Sequence, residues 1–404
     1  MPLSLMRLSQ RLNALSTPFI ADDGTGEDDY ALLPPPRQLG MLQLTAITFF
    51  AVSGSAYGIE ETVSAGGPLL ALAALATAAI FWSAPMAMVS AELCAPVLPH
   101  PSPSSPAHHR APAHAWSEPT FPLALHRTLI FRGSSVAMPH SGGYIVWVHN
   151  AFGPLASLLN GMANLLCNVF DCALYPLLLS QYVERALMPL LPKEPYGGSG
   201  ASWWRDLAPD VVGSVLRLGL VAFAALVNIL GTSVVGVGAV ILMFLVTPPI
   251  VALIFAAYAS PHSEPLMPLT PSVQTPPHSA AQWHFFVALV LWNSCGYDSA
   301  GMVAAEVADA PRTYPRALGG ALVLTTLSYL LPLAACASVV GPDQWVKWSE
   351  GQFELIGSKI GGASLEYALL AASITSEVGV LCTLVNRPSR RKARVSPSVV
   401  PHTS

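Results

Sequence analysis

The stretch Ser53-Gly54-Ser55-Ala56-Tyr57-Gly58-Ile59-Glu60-Glu61 sits inside an apolar run from Leu42 to about Gly66. The run is long enough to cross a bilayer, which takes about 20 apolar residues in a helix. Its middle is unsuited to a helix packed in lipid. Two glycines loosen the backbone, two serines offer hydroxyls to freed backbone groups, and two carboxylates follow. Irregular backbone at membrane depth is tolerated only where it lines a cavity or is buried in protein. A glycine-mediated helix contact would account for the glycines, but not for Glu60 and Glu61. The stretch therefore reads as a broken span that carries a site.

A second run repeats the pattern. Trp292-Asn293-Ser294-Cys295-Gly296-Tyr297-Asp298-Ser299 interrupts the apolar stretch 282–303 and again leads into an acid. Other apolar runs lie at 68–96, 211–231, 233–259, 317–340 and 364–385. The stretch 143–186 is too long for one simple span, and divides into an interfacial lead-in, Gly143–Phe152, and a tilted helix over about 153–183. The expected fold is an all-α integral membrane protein of about eight transmembrane helices, with spans one and six discontinuous. Inverted repeats of five helices put their broken helices at these two positions.

Composition agrees. Of 404 residues, 52% are hydrophobic and 10% charged, and mean hydropathy is +0.51. Soluble domains carry about a quarter charged residues, so the apolar excess is assigned to lipid. A net charge of -4 gives no basic field for nucleic acid. The six cysteines lie mostly in apolar stretches without a CxxC, so neither a disulfide framework nor a metal site is expected. There is no Walker loop, HExxH or GxSxG, so no enzyme is expected, and no cofactor.

Three parts are expected. Residues 1–38 form a cytosolic tail, with an organelle-targeting sequence as the alternative. Residues 39–385 form the transmembrane domain, interrupted at 100–140 by a Pro-, Ser-, Ala- and His-rich disordered insert. Residues 386–404 form a polar, basic tail. With the N-terminus inside, thirteen Lys and Arg face the cytosol and five face out, which fits the positive-inside rule.

The long third span carries a polar stripe. Asn160, Asn164, Asn168, Asp171 and Tyr175 recur every three or four residues, on one helical face. Interhelical hydrogen bonds would explain the asparagines, but Asp171 asks for a cavity or a partner. Spans one, three and six contain no Lys or Arg to pair with Glu60, Glu61, Asp171 or Asp298, and Glu377 in span eight adds another acid. Buried carboxylates of this kind hold a proton or bind a cation. Both outcomes suit a proton-coupled carrier of a cationic substrate. Glu92 and Glu306 fall toward span ends and read as gate or cap residues.

The segments FFAVSGSAYGIEETVSAGGPLLAL, FWSAPMAMVSAEL, GGYIVWVHNAFGP, NVFDCALYPLLL and LWNSCGYDSAGMVAAEVADAPRTYPRAL resemble, in order, the polyamine–proton symporters of the amino acid–polyamine–organocation superfamily. The resemblance implies twelve helices on a five-plus-five inverted repeat, with a substrate site between the unwound parts of spans one and six. It implies that Ser53, Gly54, Ser55, Tyr57 and Gly58 face the substrate. Asp171, Tyr175, Trp292, Asn293, Gly296, Tyr297 and Asp298 would line the pocket, and Glu60 or Glu377 would carry the coupled proton. Two departures stand out: the insert at 100–140, and the loss of resemblance after span eight, which makes the second repeat look incomplete and the chain truncated. The expected activity is alternating-access uptake of a polyamine, in the plasma membrane rather than an organelle. The alternatives are an amino-acid permease of the same superfamily and a truncated, non-transporting membrane protein.

Overall fold

In the computed structural model, which describes residues 38–94, 142–187, 202–271 and 276–385, the first span is split in two. The expected tails and the insert at 100–140 lie outside the described residues, apart from their inner edges. Helix α1, Met41–Val52, stops at Ser53. Residues 53–59 are irregular, and the chain resumes as α2, Glu60–Gly66. Gly67 turns with a φ of 77° and Pro68 opens the next helix, a position where the missing proline N–H has no helical partner to lose.

Span two is α3, Pro68–Ala78, and α4, Ala84–Cys94, joined by a π turn at Ala79–Ser83. Helix α5, Gly143–Leu187, is divided at Gly153, whose φ of 85° and ψ of -178° only glycine adopts readily. The division separates Gly143–Phe152 from the longer helix behind it. Helix α6, Ser202–Leu230, passes through Gly231 directly into α7, Thr232–Ala259. Span six is again split. Helix α8, Ala280–Trp292, ends at the break, and a 3-10 segment, Tyr297–Glu306, continues it. Helix α9, Ala310–Val339, the short α10, Pro342–Trp345, and α11, Gln352–Leu384, complete the described chain. Helix α11 bends at Gly362 (φ 69°) and so begins well before the apolar run at 364–385.

Among the described residues six helices are long and apolar enough to cross a membrane: Pro68–Cys94, Gly143–Glu184, Gly213–Leu230, Thr232–Ala259, Ala310–Val339 and Gln352–Leu384. The two broken spans stand beside these. The protein is an integral, multi-pass membrane protein. Large apolar side chains on α5 and α6 point outward, Phe152 at 77% and Ile229 at 78% exposure, a surface that suits lipid and not water.

Helix α1 is central. It packs against α7, α9, α11 and the 3-10 segment, while α11 packs most extensively on α7. In lipid, helix association rests on close packing and hydrogen bonds more than on apolar burial. The contacts are accordingly tight. A Cβ on Gly296 would lie 2.6 Å from the Ala51 carbonyl oxygen, so the break of span six abuts the end of α1. Leu39, just before α1, forms an isolated parallel bridge with Val307, just after the 3-10 segment. Its N–H donates to Glu306 O at 3.0 Å, and its carbonyl accepts from Ala308 N at 2.9 Å.

Candidate functional site

The first break is built by its glycines and closed by span eight. Gly54 and Gly58 have φ of 63° and 90°, and Ser55 between them has φ of 125°. Ser53 Oγ accepts from Ser55 N at 3.2 Å. The Gly54 carbonyl, freed from the helix, accepts from Ser376 Oγ at 2.6 Å. The Gly58 N–H donates to Glu60 Oε2 at 2.8 Å. These two backbone groups, expected from the resemblance to face the substrate, are thus engaged inside the protein. Ser55 is buried as well.

The second break faces span two and α9. Asn293 caps the C-terminus of α8, its amide donating to Leu289 O at 2.9 Å. Gly296 takes φ of 112°, and Tyr297 behind it is 1% exposed. The π turn brings Ser83 Oγ to Ser294 O at 2.7 Å and Trp82 Nε1 to Cys295 Sγ at 3.3 Å. Tyr329 of α9 reaches Asn293 Oδ1 at 3.5 Å, and its hydroxyl also lies against Ser53. Tyr329 therefore stands between the two breaks.

The acids do not gather at one point. Glu60 is fully buried, and its Oε1 has no hydrogen-bond partner. Glu377 of α11 is 4% exposed, and its Oε2 is likewise unpartnered. Each lies within electrostatic reach of Tyr57 and Tyr182, and Glu60 of Glu377. Tyr57 donates to Leu369 O at 3.0 Å and stacks edge-on with Tyr182 at 6.3 Å. Tyr175 lies near both Asp171 and Glu377. The result is a seam of carboxylates and phenols between spans one, three and eight. Asp298 is half-buried on the 3-10 segment, with the Cys295 thiol within its field. Between described residues the ion pair is Arg312–Asp309 at 3.4 Å, on an exposed turn far along the chain from these acids.

One expected residue is misplaced. Trp292 is 47% exposed and does not line the site. It is the last residue of α8 and shares the outward face with Leu291, so the helix ends before the polar residues turn inward. On α5 the stripe Asn160, Asn164, Asn168, Asp171 and Tyr175 is half-buried on one face. Its asparagines bond along their own helix, Asn164 to Asn160 O at 3.0 Å and Asn168 to Asn164 O at 2.9 Å. Sequence reasoning missed Tyr329, Tyr182 and Ser376. Tyr182 follows Tyr175 by seven residues, two turns along the same face, and that spacing was the available signal. Among the described residues no group of His, Cys, Asp and Glu is arranged to hold a metal ion.

Two discontinuous spans set back to back, with buried carboxylates beside them, are the arrangement on which secondary-transporter folds build their sites. The family model described as amino acid permease matches residues 120–395, and the chain belongs to that family. Among relatives, it is 29% identical over 344 residues to Polyamine transporter RMV1 of Arabidopsis thaliana, covering 85% of this chain and 57% of that protein. It is 29% identical over 345 residues to Polyamine transporter PUT1 of Oryza sativa subsp. japonica, covering 85% and 52%. The chain thus spans little more than half the length of the curated relatives it matches.

Proposed function

We propose that the protein moves polyamine-type organic cations across a membrane, the plasma membrane first among candidates, by alternating access coupled to protons. The observation that carries this reading is the pair Glu60 and Glu377. Both are buried, each has an unpartnered carboxylate oxygen, and phenols surround them. An acid in this setting exchanges a proton or holds a cation. The names of the relatives support a polyamine as that cation.

In this mechanism Asp171 holds one ammonium end, and Tyr175 offers its ring to the charge and the methylene chain. Asp298, next to Tyr297, supplies negative charge for the other end. Ser53, Tyr57 and Asn293 shape the passage at the breaks. Glu60 and Glu377 take up and release the coupled proton as the breaks open to one side and then the other.

Uptake of labelled putrescine by vesicles carrying the purified chain tests the reading. Acidifying the side of entry should accelerate uptake, and unlabelled spermidine should compete while leucine does not. Competition by leucine instead of spermidine would favour the amino-acid reading, which the family description supports. Binding without uptake would favour a non-transporting role. Asp298→Asn is expected to abolish putrescine uptake at unchanged surface level.

A further inference from the structure

A small cavity lies between the π turn of span two, the break of span six and α9. About 10 Å3 of it is open to the centre of a water-sized sphere, room for one small polar group. Its polar wall comes from Ser83 on the π turn, Asn293 and Ser294 at the break, and Thr325, Thr326 and Tyr329 on α9. No charged side chain lines it.

Three hydroxyl protons of this wall are already committed. Ser83 donates to Ser294 O at 2.7 Å, Ser294 to Val290 O at 2.7 Å, and Thr326 to Leu322 O at 2.7 Å. A hydroxyl has one proton and two lone pairs. What these three still offer is lone pairs. Thr325 is 3% exposed, and its Oγ1 has no hydrogen-bond partner. The Tyr297 hydroxyl lies beside it without the geometry of a hydrogen bond. A buried polar atom left in this way is costly, and it faces a space of the right size for a donor.

We propose that this cavity is a recognition subsite for a primary ammonium group, the end of the transported polyamine; the inference rests on the polyamine reading above. An ammonium donates three hydrogen bonds and accepts none, which matches a wall rich in acceptors. A water molecule is of similar size but donates two hydrogen bonds where the ammonium donates three, so it satisfies fewer of these acceptors. Tyr297 and Tyr329 also line the cavity, and a tyrosine favours a cation through either its hydroxyl oxygen or its ring. Tyr329 is within electrostatic reach of Tyr175, and Tyr175 of Asp171. A diamine long enough to span from Asp171 would set its other end among the hydroxyls. Asp298, the residue after Tyr297, then supplies negative charge near that end.

Three N–H donors in a one-water space reject an end whose hydrogens are replaced by methyl groups. The test is equilibrium binding of labelled putrescine to the purified full chain in nanodiscs, with fully N-methylated putrescine as competitor. The expected result is tight competition by putrescine and none by its permethylated form. Thr325→Val and Ser83→Ala should each weaken putrescine binding by on the order of tenfold or more, while Thr325→Ser retains it. Ser83→Ala reports independently if Thr325→Val fails to fold. Two outcomes overturn the subsite and leave the polyamine reading standing: variants that bind putrescine as the wild type does, or a wild type that accepts the permethylated dication equally. A folded wild type that binds no putrescine overturns both.

Discussion

Glu60 shows how one residue serves two tasks. Its Oε2 secures the Gly58 N–H and so holds the first break, while its Oε1 stays unpartnered. Glu60→Gln keeps the shape and one acceptor oxygen but removes the exchangeable charge. Uptake by this variant should lose its acceleration by external acid, while exchange of internal for external putrescine persists; measuring both in the same vesicles checks it. Gly54 makes a purely steric case. A Cβ there would lie 2.5 Å from Val380 Cγ2 and 2.6 Å from Ser376 Oγ, at a φ of 63°. Gly54→Ala is expected to cost about 1–3 kcal/mol, as overpacking does, read as a lower melting temperature in detergent.

At the scale of elements, each helix is explained by its ends as much as by its apolar length. Ser279 caps α8, its Oγ accepting from Gln282 N at 3.3 Å, and Gln282 Oε1 accepts in return from Ser279 N at 3.1 Å. Ser279→Ala should destabilise by about 1 kcal/mol and leave putrescine affinity unchanged, which melting and binding measured on one sample would separate. The broken spans were legible because glycine, serine and acid together contradict a lipid-packed helix. The start of α11 was not. Glu354, Lys359 and the Gly361–Gly362 pair interrupt its hydrophobic pattern, so the apolar run at 364–385 conceals a helix that starts at Gln352. Tyr329 was hidden for the opposite reason. A single tyrosine in an apolar span looks like any core residue until tertiary packing sets it between Ser53 and Asn293. Trp292 misled because the position at which α8 ends, and hence the side the tryptophan faces, depends on the turn that follows it.

For the whole molecule, the two broken spans are tied to each other at their breaks, Gly296 against Ala51, between Gly66 and Phe286, and at the start of span one and the end of span six, Leu39 to Val307. Leu39→Pro removes the N–H that donates to Glu306 O. The variant should retain putrescine binding and lose much of its uptake rate, a split visible when binding and flux are measured on one preparation. The short bridge at Leu39 then acts as a yoke. In the proposed alternating-access cycle neither broken span would swing without drawing the other, so the path would open at one mouth at a time, and an uncoupled ion leak would first require that bridge to part.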